Sequence, residues 1–227
     1  MMPWQRLQLG WARRRCRYPL QSRLLATPPP PRGRRVEQLE MIAMDFETTG
    51  LDPARDHIIA VGWVLLRGDR MVLASAREIR VRPEATSGVG QSAVIHGITD
   101  SDLDDAETQE EMLGHLLPEL AGRAVVAHAV SIERGFLNAL LRRQGGVPQP
   151  SPFIDTMLLE RRLVEATGGN VRELHGDLTL DACRERRRLP EHQRHSAGAD
   201  AVACAELLLA QLDELGGAHR TRLRELL

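Results

Sequence analysis

The chain has 227 residues, enough for one domain that buries roughly 70% of its unfolded surface without disulfides or a structural metal. Its three cysteines, Cys16, Cys183 and Cys204, are scattered and odd in number, which excludes a disulfide framework and suits a reducing compartment; no apolar run approaches the ~20 residues of a membrane helix, so a cytoplasmic protein without a membrane partner is expected. All 30 basic residues are arginine, and the net charge of −1 hides a split: residues 1–36 carry nine arginines and no acid, whereas residues 37–227 carry 21 arginines and 31 acids.

Residues 1–36 therefore read as a basic N-terminal extension. Trp4, Trp11 and Tyr18 recur every seven residues and share a helical face with Leu7. Pro3 would start such a helix and Pro19 would stop it. The run Thr27–Pro31, "TPPPP", reads as an extended linker. A mobile or loosely docked tail is one reading of this segment. An arginine arm on nucleic-acid phosphates and a transit peptide are the others.

The globular part is expected over residues 37–215, with a short tail at 216–227. Leu39–Phe46 reads as a strand. His57–Leu66 and Met71–Val81 read as two more, joined by the short turn "RGDR", a spacing that predicts an antiparallel hairpin. A helix is predicted over Asp104–Leu120. Acids from Asp100 to Glu107 crowd its start, where they suit the positive end of the helix dipole. Arg123–His128 is a short apolar strand, Ile132–Gln144 a helix ended by two glycines, and Pro152–Thr156 a strand feeding another helix. Leu178–Arg188 and Ala197–Leu215 read as helices. Three strands followed by alternating strands and helices predict an α/β fold with helices packed on a sheet. No internal repeat is present.

The chemistry begins in "IAMDFETTGLD", Ile42–Asp52. In a strand, residues i and i+2 face the same side, so Asp45 and Glu47 project together and Phe46 turns away. Two neighbouring carboxylates repel unless a cation sits between them, and hard oxygen ligands suit Mg²⁺ or Mn²⁺. Further on, Glu133 opens a helix after the strand "AVVAH". In "HSAGADA", His195 lies in a loop and Asp200 in the last helix, five residues apart.

In order and spacing these segments resemble the DEDDh 3′–5′ exonucleases, most of all the proofreading epsilon subunit of bacterial DNA polymerase III. The likeness covers about residues 40–212. "AVIHGIT", Ala93–Thr99, is similar to the segment of that family near the 3′-terminal nucleotide, and "FIDT", Phe153–Thr156, is similar to one of its strand ends. The resemblance implies a ribonuclease H-like mixed sheet: three antiparallel strands, then two parallel ones, with helices on both faces. It implies that Asp45 bridges two metal ions, that Glu47 and Asp200 complete one site, and that Glu133 serves the second. It also implies that His195 takes a proton from the attacking water. Two ions roughly 3.5–4 Å apart can stabilise both the entering and leaving oxygens of a phosphodiester displacement, and a histidine near neutral pKa is a natural base for that water. Thr48, Thr49, His96 and Ile98 are the candidate contacts to the terminal nucleotide.

The chain departs from the family pattern H-N-x-x-F-D in having Ala129 and Glu133. His128 is read as a structural strand-end residue and His192 as a solvated neighbour of His195, with a rival base as its alternative reading. The expected activity is metal-dependent release of 5′-mononucleotides from the 3′ ends of single-stranded DNA, in repair or housekeeping and without a tightly bound polymerase subunit. An RNA-directed exonuclease of the same fold and a non-cleaving nucleic-acid-binding relative are the alternatives.

Overall fold

The computed structural model describes residues 3–83, 98, 100–169, 178–192 and 196–227. Three strands come first in the globular part: β1 (Glu40–Thr48), β2 (Ile58–Arg67) and β3 (Arg70–Arg80). They are rich in Ile, Val, Met and Trp, which suit a pleated buried surface. Each pairs antiparallel with the next. Two short strands follow, β4 (Ala124–Ala127) and β5 (Phe153–Asp155), and β1, β4 and β5 run parallel. The sheet order is β3-β2-β1-β4-β5, the mixed sheet expected from the sequence.

Alternation along β1 divides the core. Ile42, Met44 and Phe46 face one side, where α3 (Gln109–Leu120) and α4 (Ser131–Arg143) contribute Met112, Leu116, Phe136 and Leu140. Met41 and Ala43 face the other side. There they meet α5 (Thr156–Ala166) and α7 (Ala197–Glu214) through Leu159, Cys204, Ala205 and Leu208. A short α6 (Leu180–Arg186) lies between α5 and α7 in sequence. Asp45 and Glu47 continue the Met41–Ala43 register, so the fold turns them toward the face that α7 covers. On α7 itself, Asp200, Cys204 and Leu208 repeat every four residues along one stripe. Cys204 and Leu208 seat that stripe on the sheet, and Asp200 extends it by one turn beyond the apolar floor.

Three features depart from the sequence-based expectations. The helix expected from Asp104 starts at Gln109, because Thr108 caps it: the Thr108 hydroxyl accepts from Glu111 N, and the Glu111 carboxylate accepts from Thr108 N. The preceding acids form a separate turn, where Asp102 pairs with Arg80 at 2.8 Å.

The N-terminal segment is the second departure, since it packs against the sheet domain through two helices. These are α1 (Pro3–Arg15) and α2 (Pro19–Ala26). Pro19 opens α2 instead of ending α1, as a proline at the first helical position does. Tyr18, Leu24 and Leu25 are buried in the main core, where each large apolar side chain is worth about 1.5–3 kcal/mol. Gln21 is fully buried and exchanges two hydrogen bonds with the Val147 backbone, at 2.6 and 2.8 Å. The buried side of α1 carries Leu9 and Ala12, while Leu7 and Trp11 of the expected apolar face are exposed.

The third is the C-terminal tail, which folds back to bury Ala218, Leu223 and Leu226 under α7. It pairs with the N-terminal segment at Arg35 and Arg222.

Candidate active site

Asp45, Glu47 and Asp200 offer carboxylate oxygens that lie within 4.8 Å of one another, and this is the cation-sized cluster of acids found among the described residues. β1 supplies two of its members and the first turn of α7 the third. Burial and the negative charges of Glu133, Glu47, Asp200 and Glu78 hold the Asp45 carboxyl well above its ordinary value of 3.8. Repulsion of this kind is removed by a bound cation, and an all-oxygen donor set suits a hard divalent ion.

Glu133 enters from the first turn of α4 and is 2% exposed. Its Oε2 has no hydrogen-bond partner among the described residues. Burial, with a smaller contribution from Asp155, pushes its pKa up to about 8. Glu133 stands outside the 4.8 Å cluster, yet it is the foremost charge acting on Asp45. A buried carboxylate with one unpartnered oxygen, close enough to a second carboxylate to raise its pKa, fits a further cation position.

The remaining candidates are spread around this centre. The Thr48 hydroxyl donates to Gly50 O at 2.6 Å, and Thr49 Oγ1 accepts from His57 N at 3.0 Å, so both threonines close the turn after β1. Ile98 is buried and clusters with Ile59, Ala60, Leu103, Ala106 and Ala197. His96 and His195 lie outside the described residues. His192, expected to be solvated, is instead held between two acids: its Nε2 is 2.7 Å from Asp200 Oδ1 and its Nδ1 is 3.6 Å from Asp181. His128 is structural. Its Nδ1 contacts Thr156 Oγ1 at 2.9 Å and its Nε2 contacts Leu178 O at 2.8 Å, while burial pushes the imidazole below its ordinary pKa.

Three residues that the sequence did not single out position the acids. Asp45, Gly62 and Glu78 are register neighbours across β1, β2 and β3, so all three positions share the face toward α7. Glu78 accepts from Ser196 Oγ at 2.6 Å and from Gly198 N at 2.8 Å. It thus ties the start of α7, and with it Asp200, to the sheet. At Gly62 the α7 backbone comes so close that a Cβ would lie 2.0 Å from the Ala197 carbonyl.

Asp155 is the third. One of its oxygens accepts from Met157 N and Leu158 N, capping α5. The same carboxylate accepts from Ala129 N and Val130 N, which turns β4 into α4 and aims Glu133. That turn puts Ala129 at φ 64°, a left-handed conformation that costs a residue with a Cβ roughly 1–2 kcal/mol and that asparagine tolerates better. Ala129→Asn should therefore raise stability by about 1 kcal/mol, or roughly 2–4 °C in Tm for a chain of this size. A thermal melt showing no gain would mean that the turn has relaxed in solution.

Comparison with known proteins gives the family. The exonuclease family model of the RNase T type matches residues 42–208. The chain is 29% identical over 185 residues to the PolC-type DNA polymerase III of Thermotoga maritima, a match covering 82% of this chain and 13% of that protein. It is 30% identical over 186 residues to a DNA polymerase III subunit epsilon-like protein of Rhodobacter capsulatus, covering 79% of this chain and 25% of the relative. The chain thus spans only a minor part of these relatives.

Among solved structures, the nuclease domain of 3′hExo, a DEDDh family member bound to rAMP, superposes with a TM-score of 0.64 at 17% identity, covering 80% of this chain and 94% of that one. E. coli Exonuclease I in complex with a dT13 oligonucleotide superposes with a TM-score of 0.62 at 13% identity, covering 76% and 40%. All four acids fall inside the matched span, and the chain belongs to this exonuclease family.

Proposed function

We propose that the chain is a metal-dependent 3′–5′ exonuclease that releases 5′-mononucleotides from the ends of single-stranded DNA. The observation that carries this reading is the convergence of Asp45, Glu47 and Asp200 within 4.8 Å, beside a buried Glu133 whose Oε2 has no partner among the described residues. Asp45, Glu47 and Asp200 would hold one divalent ion, and Asp45 and Glu133 would serve a second. When bound, such ions neutralise phosphoryl charge and polarise water.

The protein's own groups do the rest. Glu78 and Gly62 keep Asp200 over β1, Asp155 sets the turn that leads into Glu133, and His195 accepts the proton of the attacking water. A 3′-terminal nucleotide lies against the turn that Thr48 and Thr49 close, with His96 and Ile98 as its further candidate contacts. DNA is the preferred polymer because the curated relatives at 29–30% identity are named as DNA polymerase III proteins.

The test uses 5′-labelled single-stranded DNA and RNA of one sequence, with Mg²⁺, with Mn²⁺ and with EDTA. The expected result is a ladder shortening from the 3′ end, faster on DNA and absent in EDTA. Faster shortening of RNA would reassign the substrate, and intact polymers with both ions would sink the reading.

A further inference from the structure

A second cleft, of about 690 Å³, lies between α1, the Pro-rich segment, α4 and the residues around Pro150. None of the four acids lines it. Arg32, Arg134 and Arg224 do, without any acidic side chain among the lining residues. Two aromatic rings join them. Trp11 is 52% exposed, and Phe153 lies beneath the Arg134 guanidinium, 5.6 Å from its ring centre. An arginine held flat on a ring keeps its edge N–H groups for an anion.

Gln149 also lines the cleft. It is 4% exposed, yet neither its amide nitrogen nor its amide oxygen has a partner among the described residues. A buried amide left unpaired is costly and unusual. It calls for a ligand that both donates and accepts, which a bare phosphate cannot do and the edge of a nucleobase can.

We propose that this cleft is a second nucleic-acid subsite. It holds a stretch of single-stranded polynucleotide away from the cleaved end, with arginines on phosphates, the exposed Trp11 against a base, and Gln149 on a base edge. Positive charge interleaved with aromatic faces is the usual means of holding single strands. Arg134 directly follows Glu133 in α4, so one helix contributes a residue to the cleft and another to the acid site. The choice of a polynucleotide over an acidic peptide rests on the exonuclease reading and on Gln149, whose donor and acceptor together match a base edge and not a run of carboxylates. The basic N-terminal segment then has a role in substrate binding, because it builds one wall of the subsite and supplies Arg32 and Trp11.

Binding is measured in EDTA, where cleavage does not interfere, by anisotropy of fluorescein-labelled dT30 from 50 to 200 mM NaCl. The R32A/R134A/R224A variant should bind at least tenfold more weakly. The slope of log K against log salt should flatten by about 2, at about 0.7 for each phosphate that is no longer neutralised. W11A and Q149A, single changes that retain every arginine, should each weaken binding about fivefold. With Mg²⁺, the triple variant should still shorten dT4 at a rate within twofold of the parent.

Unchanged affinity and slope in the triple variant would overturn the subsite and leave the exonuclease reading intact. Displacement of dT30 by polyglutamate as readily as by unlabelled dT30 would overturn it in favour of an acidic protein partner. Arginine-dependent binding of dT30 by a protein that cleaves nothing would support the subsite while the exonuclease reading fails. Should the triple variant melt early, R134Q and R224Q carry the same test singly.

Discussion

Asp45→Asn is expected to abolish nucleotide release, by at least about 10³-fold, while raising the melting temperature of the metal-free protein. The two effects share one cause. Asp45 belongs to the three-carboxylate cluster and also feels the charge of Glu133, so it is the acid placed to serve both proposed ion positions. Metal-derived stabilisation of transition-state charge is worth several kcal/mol, and each ~1.4 kcal/mol is a decade in rate. An amide keeps the shape but not the charge that holds a cation.

Without metal the same charge is a burden. Burial and four neighbouring acids raise the Asp45 pKa well above 3.8. As pH rises past the unfolded value, the unfolded chain gives up this proton and the folded one keeps it, so stability falls with pH. In EDTA, Asp45→Asn should flatten that fall and gain several degrees at pH 7–8. Some slope should remain, because Glu133, at about 8, behaves in the same way. In the parent, added Mg²⁺ or Mn²⁺ should recover the lost stability; in the variant it should recover much less. Equal melting of parent and variant across pH 5–8 in EDTA would show that the acids do not face one another as described.

What was legible in the sequence is what depends on near neighbours. The i, i+2 rule placed Asp45 and Glu47 on one face, and the antiparallel hairpin of β2 and β3 followed from two strand-like runs around a short turn. Helix starts were legible at Ile132 and Ala197, within one residue of where they fall, and misplaced at Asp104, where the Thr108 cap sets the start at Gln109. The spacing of Trp4, Leu7, Trp11 and Tyr18 marked a helical face, but Leu7 and Trp11 are exposed, α1 buries Leu9 and Ala12, and Tyr18 is buried beyond the end of α1. Which side of a short helix is buried depends on the surface it meets, and nothing local encodes that surface.

The supports of the site were hidden for the same reason. Glu78 acts on a helix start 118 residues away. Asp155 clasps backbone amides 25 and 26 residues back. Gly62 looks like an ordinary strand residue until α7 arrives. Acids that carry chemistry announce themselves by type and spacing. Residues that only hold those acids in place do so through contacts made after the sheet has formed.

Gly62→Ala is where that difference should be largest. A Cβ at this position would lie 2.0 Å from the carbonyl carbon and oxygen of Ala197 and 2.2 Å from Gly198 N. Both neighbours are backbone, at the first turn of a helix whose next turns are fixed by Cys204, Ala205 and Leu208. No rotamer change can relieve the contact, so α7 must lift or β2 must sink. Forced overpacking costs about 1–3 kcal/mol and occasionally more, which for this chain length is a fall of roughly 2–12 °C in Tm.

The functional loss should exceed the stability loss, because the element that moves carries Asp200. A displacement of about 1 Å in a catalytic group can cost ~10²-fold. We expect kcat to fall by about that factor at temperatures where the variant is fully folded, with weaker Mn²⁺ binding and a smaller change in affinity for dT30 measured in EDTA. Gly114→Ala is the matched control. Gly114 lies in α3 with nothing within 4 Å of the added carbon, so the change should be neutral or stabilising by up to ~1 kcal/mol. If Gly62→Ala melts and turns over like Gly114→Ala, the close approach of α7 to the sheet is not what positions Asp200.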